Sequence, residues 1–183
     1  MQADGPALTR RLRVRDLPAR RPTRFALHPD AAERAALAGE LGLVALPALA
    51  FSGEVRPQGG RDWVLEGELV AEVVQSCIVT LAPVTTRITE AVQRRYIHDL
   101  PEPEAEEMEM PGDDTLEPLC ETIEIGAVLR EALALALPAY PRAEGASFGA
   151  ADFAAPGVKP LTDEAVKPFA GLSDLLRRGK DEA

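Results

Sequence analysis

The chain has 183 residues, of which 46% are hydrophobic and 27% are charged, which is enough for one globular domain with a core of its own. Aromatic residues make up only 4%, so Leu, Val, Ile and Ala must build that core, and deep stacking sites for bases are not expected. Thirty Asp and Glu outnumber twenty Lys and Arg, which gives a net charge of −10 and excludes a surface that is basic overall.

Cysteine content and apolar patterning indicate a cytoplasmic protein. Two cysteines, Cys77 and Cys120, are too few for a disulfide scaffold. No secretory leader is recognisable at the N-terminus, so we expect the reducing cytoplasm. No uninterrupted apolar run approaches the roughly 20 residues that a membrane span needs, and a membrane is therefore not expected as a partner.

Charge is arranged in blocks along the chain. Residues 1–24 contain seven Arg and two Asp, whereas residues 99–124 contain eleven carboxylates and no Lys or Arg. Because like charges repel and few apolar groups offset the ordering entropy, residues 99–118 are predicted to form a flexible acidic loop. Such a loop either keeps a protein soluble or imitates nucleic-acid charge and occupies a basic partner.

Two short strands and a helix are predicted in the N-terminal part. Apolar residues alternate with polar ones around residues 12–14 and 25–27, as in strands. Residues 30–42 are predicted to form a helix because Asp30 is suited to cap it, and Glu33 stands at the capping-box position. A glycine at the end of this segment is placed to terminate the helix.

Three long extended stretches follow, over residues 43–56, 63–81 and 84–98. In the second stretch the odd positions are nearly all apolar and the even positions carry the charges, which predicts a half-buried strand with Cys77 on its apolar face. The glycines Gly59-Gly60 can adopt the positive φ that a chain reversal needs. The first two stretches are therefore predicted to form a long hairpin, and the third to continue it.

The fold class follows from these elements and one more helix. Residues 126–137 place apolar side chains on one helical stripe, which Pro138 ends. We therefore expect residues 1–141 to form one α+β domain, in which an antiparallel sheet of the meander and the N-terminal strands is packed by two helices. The sequence leaves open whether the sheet closes into a barrel.

The C-terminal part is predicted to be a tether and a short helix. Residues 142–167 are rich in Ala, Gly and Pro, as a flexible linker is. Residues 168–180 are predicted to form an amphipathic helix, which at about ten residues is marginal by itself and must fold against its own domain or in the groove of a partner. The candidate partner-binding residues on its apolar face are Phe169, Leu172, Leu175 and Leu176.

The sequence contains no arrangement that is typical of an enzyme. His28 and His98 do not belong to a metal-binding motif, and neither a phosphate-binding nor a dinucleotide-binding glycine motif occurs. A flexible acidic loop cannot hold two carboxylates at the fixed separation that acid–base catalysis requires. We therefore expect no catalytic residue, no metal, no cofactor and no small-molecule substrate.

Four segments occur in a distinctive order: VLEGELVAEVVQSCIVTLAPVTTRI, an acidic segment, IEIGAVLREALALALPAYP and KPFAGLSDLLRRGK. Together they resemble the YceD family of large-ribosomal-RNA accumulation proteins, over residues 8–180. The positions that match family motifs are Cys77, Leu81, Pro83, Glu131, Pro138, Pro168, Phe169, Ala170 and Leu172. Many family members carry a CxxC pair where this chain reads Cys77-Ile78-Val79-Thr80, so the resemblance implies that the shared function needs no metal.

The resemblance implies a small cytoplasmic bacterial protein that supports accumulation of large-subunit ribosomal RNA without catalysis. One hypothesis is that it binds a basic ribosomal protein of the large subunit or an assembly factor, through the acidic loop and the tail helix. The alternative is direct binding of a ribosomal RNA precursor, because phosphates need local positive charge. The candidate RNA-contact residues are Arg11, Arg13, Arg15 and Arg24. We favour the protein partner, because a net negative field opposes approach to RNA.

Overall fold

The computed structural model describes residues 7–100 and 115–147. The chain divides into two compact units, Met1–Glu144 and Gly145–Ala183. The elements in chain order are β1 (Arg11–Arg13), β2 (Thr23–Leu27), α1 (Ala31–Glu40), β3 (Ala45–Gln58), β4 (Asp62–Ser76), β5 (Pro83–Ile97), β6 (Leu116–Pro118), β7 (Thr122–Glu124) and α2 (Ile125–Ala136). Short 3-10 turns form at Ala7–Thr9 and Val14–Asp16. The predicted helix 168–180 and most of the predicted linker lie outside the described residues.

Five strands form an open sheet in the order β2-β3-β4-β5-β6, which confirms the α+β class. Strands β2 to β5 are an antiparallel meander, whereas β6 lies parallel to β5 at the edge. The sheet therefore has two edges and does not close into a barrel. The β3–β4 reversal uses Gly59 and Gly60 at φ of 61° and 95°, as predicted, because a positive φ costs glycine nothing.

One face of the meander is covered by the helices and forms the core. Along β4, the odd positions that were predicted to be apolar are buried. Along β5, the buried residues are Ile88, Val92 and Tyr96, which lie four positions apart. Helix α2 adds Leu129 and Leu133, both fully buried, to the same cluster. Among the described residues, no helix is long and apolar enough to cross a membrane.

Helix α1 begins as its sequence predicts. The Glu33 backbone N–H donates to Asp30 Oδ1 at 2.9 Å, and the Asp30 N–H donates to Glu33 Oε2 at 2.9 Å, which completes the capping box. The other oxygen of the Glu33 carboxylate accepts from the Leu8 N–H at 3.1 Å. The capping residue thus also attaches the N-terminal turn to the helix.

The strand predicted for residues 63–81 is shorter than expected. β4 ends at Ser76, and the chain then turns tightly, with the Cys77 N–H bonded to the Ala82 carbonyl at 2.8 Å and the Leu81 N–H bonded to the Cys77 carbonyl at 2.9 Å. Leu81 has a φ of 61° and is 78% exposed instead of facing the core. Apolar alternation continues through this turn, so periodicity alone does not show where the strand stops.

The N-terminal strand is not part of the main sheet, contrary to the prediction. β1 pairs with β7 in a separate two-stranded sheet, and only β2 joins the meander. The chain leaves β1 at Val14, whose N–H donates to the Glu121 carbonyl at 3.0 Å, and the following 3-10 turn contains Arg15. Alternation around residues 12–14 indicated a strand correctly but carried no information on its partner.

Part of the predicted acidic loop is a strand. Residues 116–118 of the predicted loop 99–118 form β6, beside the C-terminal end of β5. The Arg95 N–H donates to the Thr115 carbonyl at 2.8 Å and the Leu119 N–H to the Ile97 carbonyl at 2.9 Å. This strand depends on backbone groups offered by β5, which local composition does not reveal. Residues 101–114 lie outside the described part of the chain.

Candidate functional site

The four arginines predicted to contact RNA lie in three different elements. Arg11 and Arg13 are on β1, Arg15 is in the 3-10 turn that follows, and Arg24 is on β2 of the main sheet. Arg11 and Arg13 are exposed and share one face of their strand, as expected for alternate positions. Arg15 does not continue this row, because the chain is no longer extended there.

Three of these four arginines face a carboxylate. The ion pairs are Arg11 Nε–Glu124 Oε1 at 3.0 Å, Arg15 Nε–Asp16 Oδ1 at 3.7 Å and Arg24 Nε–Glu54 Oε2 at 3.9 Å. All three arginine side chains are largely exposed, so these pairs are weak and a phosphate can replace the carboxylate at small cost. Arg13 makes no ion pair with another described residue.

Two of the four arginines line a cleft of about 620 Å³. Its lining includes Arg13, Arg15, His98, Cys120 and Glu121. The His98 ring nitrogen Nδ1 lies 2.8 Å from a carboxylate oxygen of the neighbouring Asp99. The cleft is therefore mixed in charge, because Arg13, Arg15 and the carboxylate of Glu121 all line it.

A partly buried arginine joins β5, β6 and α2 beside one edge of the main sheet. Arg94, on β5, is only 14% exposed and lies between Glu117 of β6 and Glu131 of α2. Its Nε is 2.9 Å from Glu117 Oε1, and its Nη2 is 3.0 Å from Glu131 Oε1. Burial raises the pKa of Glu117, while the positive charge of Arg94 acts in the opposite direction. We call these three residues the Arg94 cluster.

The turn after β4 is organised around the sulfur of Cys77. This thiol is buried, as predicted, although it lies in the turn and not on a strand. Its Sγ accepts hydrogen bonds from the backbone N–H of Val79 and Thr80, both at 3.4 Å, and of Ala143 at 3.3 Å. The first two are local to the turn, whereas the third ties down the segment that follows α2.

Two further hydrogen bonds connect the same parts of the chain. The Ile78 N–H donates to the Pro141 carbonyl at 3.0 Å, and Gln75 Nε2 donates to the Pro138 carbonyl at 3.2 Å. The structure thus brings together the motif positions Cys77 and Pro138, which are far apart in sequence. Leu81 belongs to the same turn, and Pro83 is the first residue of β5 directly after it. Glu131 belongs to the Arg94 cluster, and Pro168 lies outside the described residues.

Hydrogen bonding to sulfur predicts a pH dependence of stability. The Thr80 hydroxyl and then the backbone N–H donors lower the pKa of Cys77 to about 6, because they favour the thiolate. The folded-state pKa is below that of the unfolded chain, so we expect stability to rise from pH 6 towards pH 9 and to be lost as the pH falls. Urea unfolding over this range measures the effect.

The matched variant for this prediction is Cys77→Ala, which removes the titrating group. Its unfolding midpoint is expected to be nearly constant over the same pH range, whereas Cys120→Ala, at an exposed cysteine, is expected to keep the slope of the parent chain. A Cys77→Ala variant with an unchanged pH slope would contradict the assignment to this thiol.

Fold and site together describe a small α+β domain with one charged cluster at a sheet edge and one turn held by a thiol. In residues 7–100 and 115–147, no group of three or more His, Cys, Asp or Glu side chains is arranged to hold a metal ion. The chain belongs to the YceD family, whose model, described as large ribosomal RNA subunit accumulation protein YceD, matches residues 65–176. Searches of curated proteins and of solved structures found no match.

The family match covers the Cys77 turn and the Arg94 cluster but not the predicted RNA contacts. Residues 65–176 include the Cys77 turn and all three members of the Arg94 cluster. The four arginines from Arg11 to Arg24 precede this range. The family description links the chain to the accumulation of large-subunit ribosomal RNA, and the elements that define the family are β4 to α2 and the segments that follow them.

Sequence reasoning missed the Arg94 cluster, although one signal was present. Arg94 stands at an even position of β5, between the inward-facing Val92 and Tyr96. A charged side chain on the buried face of a strand must have a partner of opposite charge, because an unpaired buried charge is costly. The identity of the two partners depends on β6 and α2, which only the fold brings to this place.

Proposed function

We propose that this chain supports the accumulation of large-subunit ribosomal RNA as a non-catalytic cytoplasmic factor, by binding a basic ribosomal protein of the large subunit or an assembly factor. The observation that carries the proposal is the position of the acidic segment 101–114. It contains seven carboxylates and no basic residue. It also lies inside the family range and joins two strands whose ends are fixed.

Both attachment points of the acidic segment are held by hydrogen bonds. Before it, the His98 N–H donates to Asp62 Oδ1 at 3.0 Å, at the start of β4. After it, the Thr115 carbonyl accepts from Arg95 on β5. A dense run of negative charge is therefore attached at one end of the sheet, where it attracts a basic surface and steers its approach.

The charge balance of the described residues also supports a basic partner at the acidic segment. These residues contain fifteen Arg and sixteen Asp or Glu, so they are close to neutral, and the net charge of −10 comes mainly from the rest of the chain. A basic partner is therefore attracted to the acidic segment more strongly than to the folded domain. Such charge complementarity acts mainly on the rate of association and on specificity.

The proposal is tested by neutralising the acidic segment. With all seven carboxylates of 101–114 changed to amides, we expect capture of large-subunit ribosomal proteins from a ribonuclease-treated extract to fall by about tenfold at low salt. The matched control changes the six carboxylates of 148–183 in the same way and is expected to retain capture. Equal capture by the parent chain and the first variant would contradict the proposal.

The predicted tail helix is a second candidate contact for the same partner. Its apolar positions Phe169, Leu172, Leu175 and Leu176 fall at helical spacing and within or at the end of the family range. A short helix that needs a surface to fold against suits a partner groove. Deleting residues 165–183 in the capture experiment measures its share, and full recovery without the tail would remove it from the proposal.

Direct binding of an RNA precursor is the second candidate function. One observation favours it, namely Arg13, which lines the cleft and has no ion-pair partner among the described residues. Filter binding of precursor RNA across a salt series distinguishes this function, because each phosphate contact contributes to a negative log–log slope. A slope that shrinks when Arg11, Arg13 and Arg15 are changed to Ala would support it, and a flat salt response would eliminate it.

A further inference from the structure

Strand β5 is paired along its whole length on one side and only at its end on the other. Its ladder with β4 runs from Ser76–Pro83 to Trp63–Tyr96 without a register shift. On the opposite edge, β6 pairs only with Arg95–Ile97. From Thr85 to Gln93, no strand in the described part of the chain covers this edge. Open edges of this kind are sites at which another chain can add a strand.

The backbone groups at this edge can be assigned from the β6 pairing. The Arg95 N–H and the Ile97 carbonyl both bond towards the β6 side. Because backbone groups alternate between the two sides of a strand, the other odd-numbered residues of β5 also direct their N–H and carbonyl groups away from β4. The Gln93 carbonyl already accepts from Arg94 Nη1 at 3.0 Å. The residues that remain for a new strand are Thr85, Arg87, Thr89 and Ala91.

A groove of about 330 Å³ lies between α2 and residues 90–94 of β5, at the C-terminal end of this edge. Its wall on α2 consists of Ala132, Ala136 and Leu135, and the Leu135 side chain is 75% exposed. Glu90, which also lines the groove, is exposed and has no ion-pair partner among the described residues. Thr115, directly after the acidic segment, lines the same groove. Arg94 also lines the groove, but its charge is met by Glu117 and Glu131. The groove is therefore apolar on the helix side, and Glu90 provides a negative charge on its β5 side.

We infer that the β5 edge from Thr85 to Ala91 binds an extended basic peptide of the protein partner as an additional strand. The inference rests on the proposed function and specifies where that contact forms. Main-chain hydrogen bonds supply affinity in this mode of recognition, and pockets for alternate side chains supply specificity. The carboxylate of Glu90 in the groove favours a basic peptide over an acidic one.

The two faces of the added strand meet different surroundings. Its side chains on the α2 side cover Leu135, so they must be apolar. On the other face, the register places Ala91 beside Glu68 of β4, and Glu68 is exposed and without an ion-pair partner among the residues described. Because the Ala91 side chain is small, a long Lys or Arg side chain can reach that carboxylate. The expected peptide therefore alternates apolar and basic residues.

The edge is tested with the full chain and a synthetic peptide of about ten residues in which Arg and Val alternate. In the free protein, we expect the amides of Thr85, Arg87, Thr89 and Ala91 to exchange rapidly with deuterium and to become protected when the peptide is added. The amides of even-numbered β5 residues, which bond to β4, are expected to be protected in both states. Protection of the odd-numbered amides in the free chain would overturn the inference, because it would show an edge already covered.

A matched pair of variants isolates the backbone contact. Thr89→Pro removes an N–H that points away from β4 and leaves the β4 ladder intact, whereas Thr89→Val keeps the donor. We expect the first variant to bind the peptide about tenfold more weakly and the second to bind as the parent does. If Thr89→Pro does not fold, Leu135→Lys tests the groove wall instead. The positive charge that it adds at this exposed position is expected to weaken binding of the basic peptide.

The same variants separate this inference from the proposed function. If the parent chain captures large-subunit ribosomal proteins and the edge variants capture them equally well, the inference that the β5 edge binds the partner is wrong, and the proposed function stands. If the parent chain captures none, the proposed function fails. Equal affinity for a peptide of alternating Glu and Val would overturn the selection of basic residues, and capture that ribonuclease abolishes would assign the partner to RNA instead.

Discussion

Replacing Arg94 by Met is expected to lower the free energy of unfolding by about 3 kcal/mol, which urea denaturation measures directly. Arg94 is only 14% exposed and pairs with both Glu117 and Glu131. Without the guanidinium, two carboxylates remain next to each other with no cation, and burial already raises the pKa of one of them. The lower end of the range for buried pairs applies, because both carboxylates keep partial contact with water.

Two controls give this expectation its specificity. Arg87→Met removes the Arg87–Glu72 pair at 3.1 Å, but Arg87 is 87% exposed, so we expect a change below about 0.5 kcal/mol. Combining Arg94→Met with Glu117→Gln is expected to recover part of the lost free energy of unfolding, because the second substitution removes one of the two carboxylates that have lost their cation. If Arg94→Met and Arg87→Met cost the same, the Arg94 cluster does not stabilise the fold as described.

The loss in Arg94→Met is also expected to depend on pH. Burial places the folded-state pKa of Glu117 above its ordinary value, and removal of Arg94 raises this pKa further. A group with a raised folded pKa contributes stability at low pH and loses it as the pH rises through that value. The variant is therefore expected to be closer to the parent in mildly acidic solution than at neutral pH.

Local rules predicted the parts of this fold that depend on local physics. The capping box of Asp30 and Glu33, the glycine turn after β3 and the buried alternation along β4 each arise within a few residues of sequence. The core of α2 likewise follows from one apolar stripe that Pro138 ends. These elements are enough to define an α+β domain with a meander.

Partners that lie far apart in sequence could not be predicted in this way. β1 pairs with β7 across more than one hundred residues, and β6 joins β5 in a parallel arrangement that needs the intervening acidic segment to return. The Ala143 N–H that donates to the Cys77 sulfur lies 66 residues further along the chain. Each of these contacts depends on the whole fold, so the sequence indicated the residue types but not the pairs.

The distribution of charge changes how the two functional hypotheses compare. The net charge of −10 was the reason to disfavour RNA, yet the described residues alone are close to neutral. The stronger distinction is position, because the acidic segment and the β5 edge fall within residues 65–176, whereas the four candidate arginines precede that range. A function shared by the family is expected to depend on elements that the family shares.

Gly126→Ala is expected to lower the free energy of unfolding by about 3 kcal/mol and to loosen the N-terminal turn. Gly126 is the second residue of α2, and a Cβ at this position would overlap the backbone of Leu8. The Gly126 N–H also donates to the Arg10 carbonyl at 3.3 Å. Because backbone atoms cannot rotate away as a side chain does, either the turn or the helix must move.

The control is the same substitution at a glycine with open space. Gly39 lies in α1, and a Cβ there meets no atom within 4 Å, so Gly39→Ala is expected to raise stability by about 0.5 to 1 kcal/mol through its helix propensity. Limited trypsin digestion provides a second measurement, since the segment that the turn holds carries Arg11, Arg13 and Arg15 as cleavage points. Cleavage there is expected to accelerate in Gly126→Ala and not in Gly39→Ala. Equal rates would mean that contact between Gly126 and Leu8 does not hold this segment in place.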